Sequence, residues 1–117
     1  MFNNTTLVGR VKDNIAIKKT KNGNKRVEFK LVVTRNYLNH RGVREIDSFP
    51  CVAWNQAAEN LARQAKRGSL VLVRGSLQNS SKQQAEILIE EYSILDTQSQ
   101  IKGQKLRIKI PPRQVKK

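Results

Sequence analysis

Between Arg26 and Val33 the side chains alternate, with Val27, Phe29, Leu31 and Val33 on one parity and Arg26, Glu28 and Lys30 on the other. Apolar residues recurring every second position describe a β-strand with one buried face. Such a strand needs neighbours for its backbone groups and a second layer to cover its apolar side. The chain is therefore built on a sheet. Leu7, Gly9 and Val11 repeat the signal against Arg10 and Lys12, and Phe49, Cys51 and Ala53 repeat it against Val52 and Trp54. Ser69 to Leu77 is a near-continuous apolar run, and 85–94 carries Ile87, Leu88 and Ile89. The period changes once. Ala58, Leu61, Ala62 and Ala65 recur at helical spacing and predict an amphipathic helix over 56–67. Asn55 is its expected cap, Glu59 suits its positive end, and Lys66-Arg67-Gly68 its stop.

The predicted order is three strands, a helix and two strands, within 117 residues that suit one domain. An all-β chain with one helix between its third and fourth strands has the element order of the OB-fold, a five-stranded Greek-key barrel. An unrelated α+β roll shares that order. Residues 18–25 read as a polar loop with an Asn22-Gly23 turn, and 36–46 as a long polar hairpin between the second and third strands. Pro50 inside the third strand is an oddity that an edge or a bulge accommodates.

Charge narrows the function. Lys and Arg number 23 against 9 Asp and Glu, a formal charge of +14, which attracts polyanions. Residues 1–94 hold 16 basic and 8 acidic side chains, and the last 23 residues hold 7 and 1. A boundary near Leu95–Gln100 then separates a domain at 1–95 from a basic tail at 96–117. A single Cys excludes an intrachain disulfide, and one Cys with one His supplies no zinc set. No apolar run approaches the ~20 residues of a membrane span, and the first residues read as strand instead of a leader. No phosphate loop occurs and the carboxylates do not cluster, so neither an enzyme nor a cofactor or metal is expected. His40, in a polar loop, lacks an obvious partner for nucleophilic chemistry.

The order of short motifs adds a resemblance. Met1-Phe2-Asn3-Asn4 precedes Leu7-Val8-Gly9-Arg10. Arg35, Tyr37, Asn39, Gly42, Arg44, Glu45 and Asp47 follow, then Cys51-Val52-Ala53-Trp54, Ala58-Glu59-Asn60, Lys66-Arg67-Gly68-Ser69-Leu70-Val71 and Gly75-Ser76-Leu77-Gln78. In this order and spacing, residues 1–95 resemble the bacterial-type single-stranded DNA-binding protein family. The resemblance implies an OB-fold that coats single-stranded DNA in replication, recombination or repair, in the bacterial cytoplasm on the nucleoid. It also implies a homotetramer of paired barrels, with a dimer as the smaller option. Two rivals stand beside it: a helicase or primosome adaptor descended from the family, and an RNA-binding OB domain.

Single strands are held by basic grooves and by aromatic faces on which bases stack. Trp54 has outward parity, and either stacks on a base or packs beneath the helix or a subunit. Tyr37 opens the polar hairpin at a position that matches a stacking residue of the family. Phe29 and Phe49 have inward parity and read as core; Phe2 and Tyr92 read as core or subunit packing. Arg10, Lys12 and Lys30 on strands, and Lys19, Arg41 and Lys82 in loops, are the candidate phosphate contacts. Arg35 is either one more or a tie to Glu45 or Asp47 across the hairpin. Two further aromatics that relatives commonly carry are replaced by Ser48 and, in a short loop at 79–84, by about Lys82. Affinity should then lean on phosphates and fall with salt.

Relatives serving general replication usually end in an acidic tip that recruits replication proteins, and this sequence has no acidic residue after Asp96. Recruitment through such a tip is therefore not expected. Leu106, Ile108 and Ile110 instead alternate with Lys105, Arg107 and Lys109 before Pro111-Pro112. Two readings follow: a flexible basic arm, or a sixth strand offering those three cations to nucleic acid.

Overall fold

The computed structural model describes residues 1–96. The basic tail, with the expected sixth strand and the contacts Lys105, Arg107 and Lys109, lies outside the described residues. The elements are β1 (Thr5–Val11), β2 (Lys18–Lys19), β3 (Lys25–Leu38), β4 (Arg44–Trp54), α1 (Asn55–Gln64), β5 (Leu70–Asn79) and β6 (Ala85–Ile94). The strands lie in the order β1-β5-β6-β4-β3-β2, and β1 also pairs with β3. That last pairing, through Arg10↔Val32 and Val11↔Leu31, closes five strands into a barrel. Every ladder is antiparallel except the seam between β4 and β6, which is parallel and holds Cys51↔Ile87 and Val52↔Leu88. A closed five-stranded barrel with one helix between β4 and β5 is the OB arrangement that the element order implied.

The core follows the alternation. Val27, Phe29 and Leu31 from β3 meet Cys51 and Ala53 from β4, Val71 and Val73 from β5, and Ile87 and Ile89 from β6. Ala58 and Leu61 of α1 are buried in the same cluster, and the helix packs against β3 and β4. The glycines in β1 and β5 mark close approaches between strands. A Cβ on Gly9 would strike the carbonyl of Val32, and one on Gly75 that of Leu88. Gly75 also sits at the register shift between β5 and β6.

Several expectations need correction. The polar loop at 18–25 is a small hairpin: Lys18 and Lys19 pair with Arg26 and Lys25 around a turn at Gly23, whose φ is 84°. The hairpin expected at 36–46 is present, with β3 and β4 running out to Leu38 and Arg44 beyond the barrel. The helix stops at Gln64, and Ala65 N–H still bonds to Leu61 O before Gly68, at φ 90°, turns the chain into β5. Asn55 does not cap it. Its backbone is left-handed at φ 53°, and its Oδ1 accepts the N–H of Lys25 instead. Glu59 serves no helix end either; it is ion-paired with Lys25 across to β3.

Phe49 and Val52 also differ from expectation. Phe49 has the parity of Cys51 and Ala53 but is 37% exposed, because it pairs with Leu31 at the rim where β4 leaves the barrel. Val52 has outward parity yet is fully buried. It sits at the middle of the surface, flanked by Glu28 on β3 and Leu88 on β6 with Trp54 two residues on. Phe2 is exposed and not core, whereas Tyr92 packs partly buried against the core and donates its hydroxyl to Gln64.

Pro50 has a legible place. It pairs with Lys30, whose carbonyl accepts from the N–H of Lys12, just past β1, and so points away from β4. In an antiparallel ladder such a pair has its backbone groups turned outward on both strands. The donor that proline lacks would therefore face the far edge of β4, where β6 pairs only from Cys51 onward.

Candidate nucleic-acid interface

The outward parities of β3, β4 and β6 form rows across one face of the barrel. Arg26 pairs with Trp54, Glu28 lies beside Val52 and then Leu88, and Lys30 lies beside Pro50. The face opens into a cavity of about 600 Å³ that Lys12, Arg26, Glu28, Lys30, Lys82 and Glu86 help to line. Its walls are the segment after β1 and the loop between β5 and β6. That loop is tightened by Ser80 Oγ, which accepts the N–H groups of Lys82 and Gln84.

Three of the expected cations, Lys12, Lys30 and Lys82, are thus brought together around one depression. Trp54 stands at the row's end, 37% exposed, with the Arg26 guanidinium 5.4 Å from the ring centroid. That distance lies within the range of a cation–π contact. Arg26 also reaches Glu28, at 2.6 Å. Glu86 is buried in the same face and accepts from Gln78 Nε2 at 2.9 Å. Arg26, Glu28 and Glu86 were missed by the sequence reading. Only the register that sets Arg26 opposite Trp54 exposes their place, although the outward parity of Arg26 and Glu28 was visible.

Other candidates lie elsewhere. Arg10 lies near the C-terminal end of β1 but is engaged there, where Nη1 donates to Gly68 O and contacts Asp96 at 3.3 Å. Lys19 is exposed on β2. Tyr37 is 61% exposed on the projecting part of β3 and follows the parity of Arg35, opposite to that of Trp54 on this ribbon. A bulge between Thr34 and Leu38 lies near it. Arg41 is exposed at the tip, where Asn39 Oδ1 accepts the N–H groups of Arg41 and Val43 and Gly42 adopts φ 77°.

Arg35 takes the second of its two readings. Its Nε and Nη2 donate to the two oxygens of Asp47, each at 2.9 Å, and Nη1 donates to Glu45 at 2.7 Å. The hydrogen bond from Arg35 holds the Asp47 carboxyl below its ordinary range, against the opposing effect of burial. The guanidinium is held correspondingly upward by the same bond. Its donors are occupied by protein, so it ties the hairpin together. Burial pushes the Cys51 thiol up to about 12, which leaves it neutral and unreactive at physiological pH. Among the described residues no group of three or more His, Cys, Asp and Glu is placed to hold a metal ion, and no helix is long and apolar enough to cross a membrane.

A depression lined by Lys12, Arg26, Lys30 and Lys82 together with three carboxylates, beside an exposed tryptophan on the face of a five-stranded barrel, fits a nucleic-acid-binding OB domain. The profile of the Single-strand binding protein family matches residues 2–106. The chain belongs to that family. It is 37% identical over 111 residues to Single-stranded DNA-binding protein 1 of Streptococcus agalactiae serotype III, covering 88% of this chain and 68% of that protein. It is 37% identical over 107 residues to Single-stranded DNA-binding protein 3 of Streptococcus agalactiae serotype V, covering 85% and 78%. The Single-stranded DNA-binding protein of Enterococcus faecalis is 36% identical over 107 residues, covering 85% and 57%.

Proposed function

We propose that this protein binds single-stranded DNA without sequence preference and protects strands exposed in replication, recombination or repair. The observation that carries the reading is Trp54, standing on the same face as Lys12, Lys30 and Lys82. Bases stack on the aromatic faces of Trp54 and, further along the strand, Tyr37, while the lysines, with Lys19 and Arg41 nearer the edges, take phosphates. The protein acts by binding and not by catalysis, as a bacterial cytoplasmic protein on the nucleoid. It assembles as a homotetramer, and exposed Val8 on β1 and Leu77 on β5 supply apolar surface for packing between copies.

Titration with oligothymidine at several salt concentrations tests the reading. With five or six phosphates neutralised per barrel, the log–log slope is expected near −4, at about −0.7 per phosphate. An affinity nearly independent of salt would overturn the view that cations carry the binding. Mass measurement with and without long polythymidine reports the assembly, and a monomer in both states would overturn the tetramer.

A further inference from the structure

We propose that Arg26 is a strand-contacting residue that Glu28 holds in place on the Trp54 ring, and that a DNA phosphate replaces Glu28 on its guanidinium when the strand binds. The proposal rests on the reading of this face as the single-strand interface.

Three features carry it. Arg26 is the cross-strand partner of Trp54, so the backbone register fixes the two side chains side by side. Its guanidinium lies over the indole, 5.4 Å from the centroid, where an incoming base would stack. It is tied to Glu28 at 2.6 Å, and both residues line the cavity that holds Lys12, Lys30 and Lys82. A base that stacks on Trp54 meets Arg26 at the ring, with its own phosphate within reach of the guanidinium fork. Carboxylate and phosphate oxygens make the same kind of charge-assisted contact with that fork. One can therefore replace the other without stranding the arginine. Glu28 opposes the exchange in two ways, both of which act through Arg26: it occupies donors of the guanidinium, and its charge repels the phosphate that the guanidinium draws beside it.

The consequence is a coupling between two residues. Removing the charge of Glu28 should help binding chiefly by freeing Arg26, so the gain should vanish when Arg26 is absent. The test is anisotropy of a labelled oligothymidine with the full chain and its Arg26→Ala, Arg26→Lys, Glu28→Gln and Arg26→Ala/Glu28→Gln variants. Arg26→Ala should weaken binding roughly 5-fold, the scale of a lost cation–π and phosphate contact, and make the salt slope shallower by about 0.7. Arg26→Lys should recover the slope and only part of the affinity, because a point charge replaces a planar fork. Glu28→Gln should tighten binding about 3-fold, the scale of one exposed ion pair, and have no effect in the Arg26→Ala background. An equal gain from Glu28→Gln in both backgrounds, or unchanged binding by Arg26→Ala, overturns the proposal. Absence of binding by the unaltered chain overturns the interface reading itself. Glu28 is an exposed surface residue, so its variant keeps the proposal falsifiable even if changes at Arg26 disturb the fold.

Discussion

β3 and β4 form one continuous ribbon, yet its two halves are held together by different forces. In the barrel half, Val27, Phe29 and Leu31 face Ala53, Cys51 and the rim residue Phe49, and five of these six are buried. In the projecting half, Tyr37, Leu38 and Ile46 are exposed, and the Arg35 fork on Asp47 and Glu45 crosses between the strands. A two-stranded ribbon without a covering layer is marginal in water. The barrel half has its register set by buried parity, whereas the arm depends on a charged clamp. In acid the arm should thus loosen before the barrel, whose ion pairs Lys25–Glu59 and Arg74–Glu91 lie over a buried core.

The largest expected effect lies in the barrel. Phe29→Ala should cost about 3–5 kcal/mol, because it empties a well-filled core. Phe49→Ala, on the same parity at the exposed rim, should cost only about 1–2 kcal/mol. Urea unfolding of the two variants measures the gap, and equal losses would break the distinction between the core and the rim where the arm begins. Trp54→Ala and Tyr37→Ala should each weaken single-strand binding by about 1–3 kcal/mol. Neither should lower the melting temperature as Phe29→Ala does, and calorimetry beside binding titration checks both. A Trp54→Ala variant that bound like the parent would remove the stacking role. The smallest effect is that of acid on the arm. The hydrogen bond from Arg35 depresses the folded pKa of Asp47 below its ordinary value, so the clamp contributes fully above the unfolded value and is lost as pH falls through the folded one. Amide exchange should then quicken between Thr34 and Ile46 before it does in β5 and β6. Simultaneous loosening of both regions would show that the arm is no separate unit.

Much of the barrel could be read from alternation alone, since Val27, Phe29 and Leu31 face inward as their spacing required. Parity names a face without saying how far the covering layer extends. It therefore misjudged Phe49, where the layer ends, and Val52, where neighbouring strands crowd a small side chain. The arm read as a polar hairpin, but its register comes from cross-strand pairing that one strand's sequence does not display. The candidate site was legible in part. Lys12, Lys30 and Lys82 line one depression with Trp54 at the end of the neighbouring row, while Arg10 and Arg35 are engaged elsewhere. Arg26 and Glu28 acquire meaning only from the register with β4.

Pro50 bears on how such a protein behaves in a crowd. An arm that projects from a closed barrel offers the flank of β4 as an open row of backbone groups, and open rows invite neighbouring molecules to zip into shared sheets. Copies lined up along one DNA strand would meet each other at high local concentration. On that flank Pro50 presents no N–H to an arriving chain, and the charged residues Arg44, Glu45 and Asp47 follow along the same strand. A neighbouring copy would then meet a flank that cannot extend its own sheet.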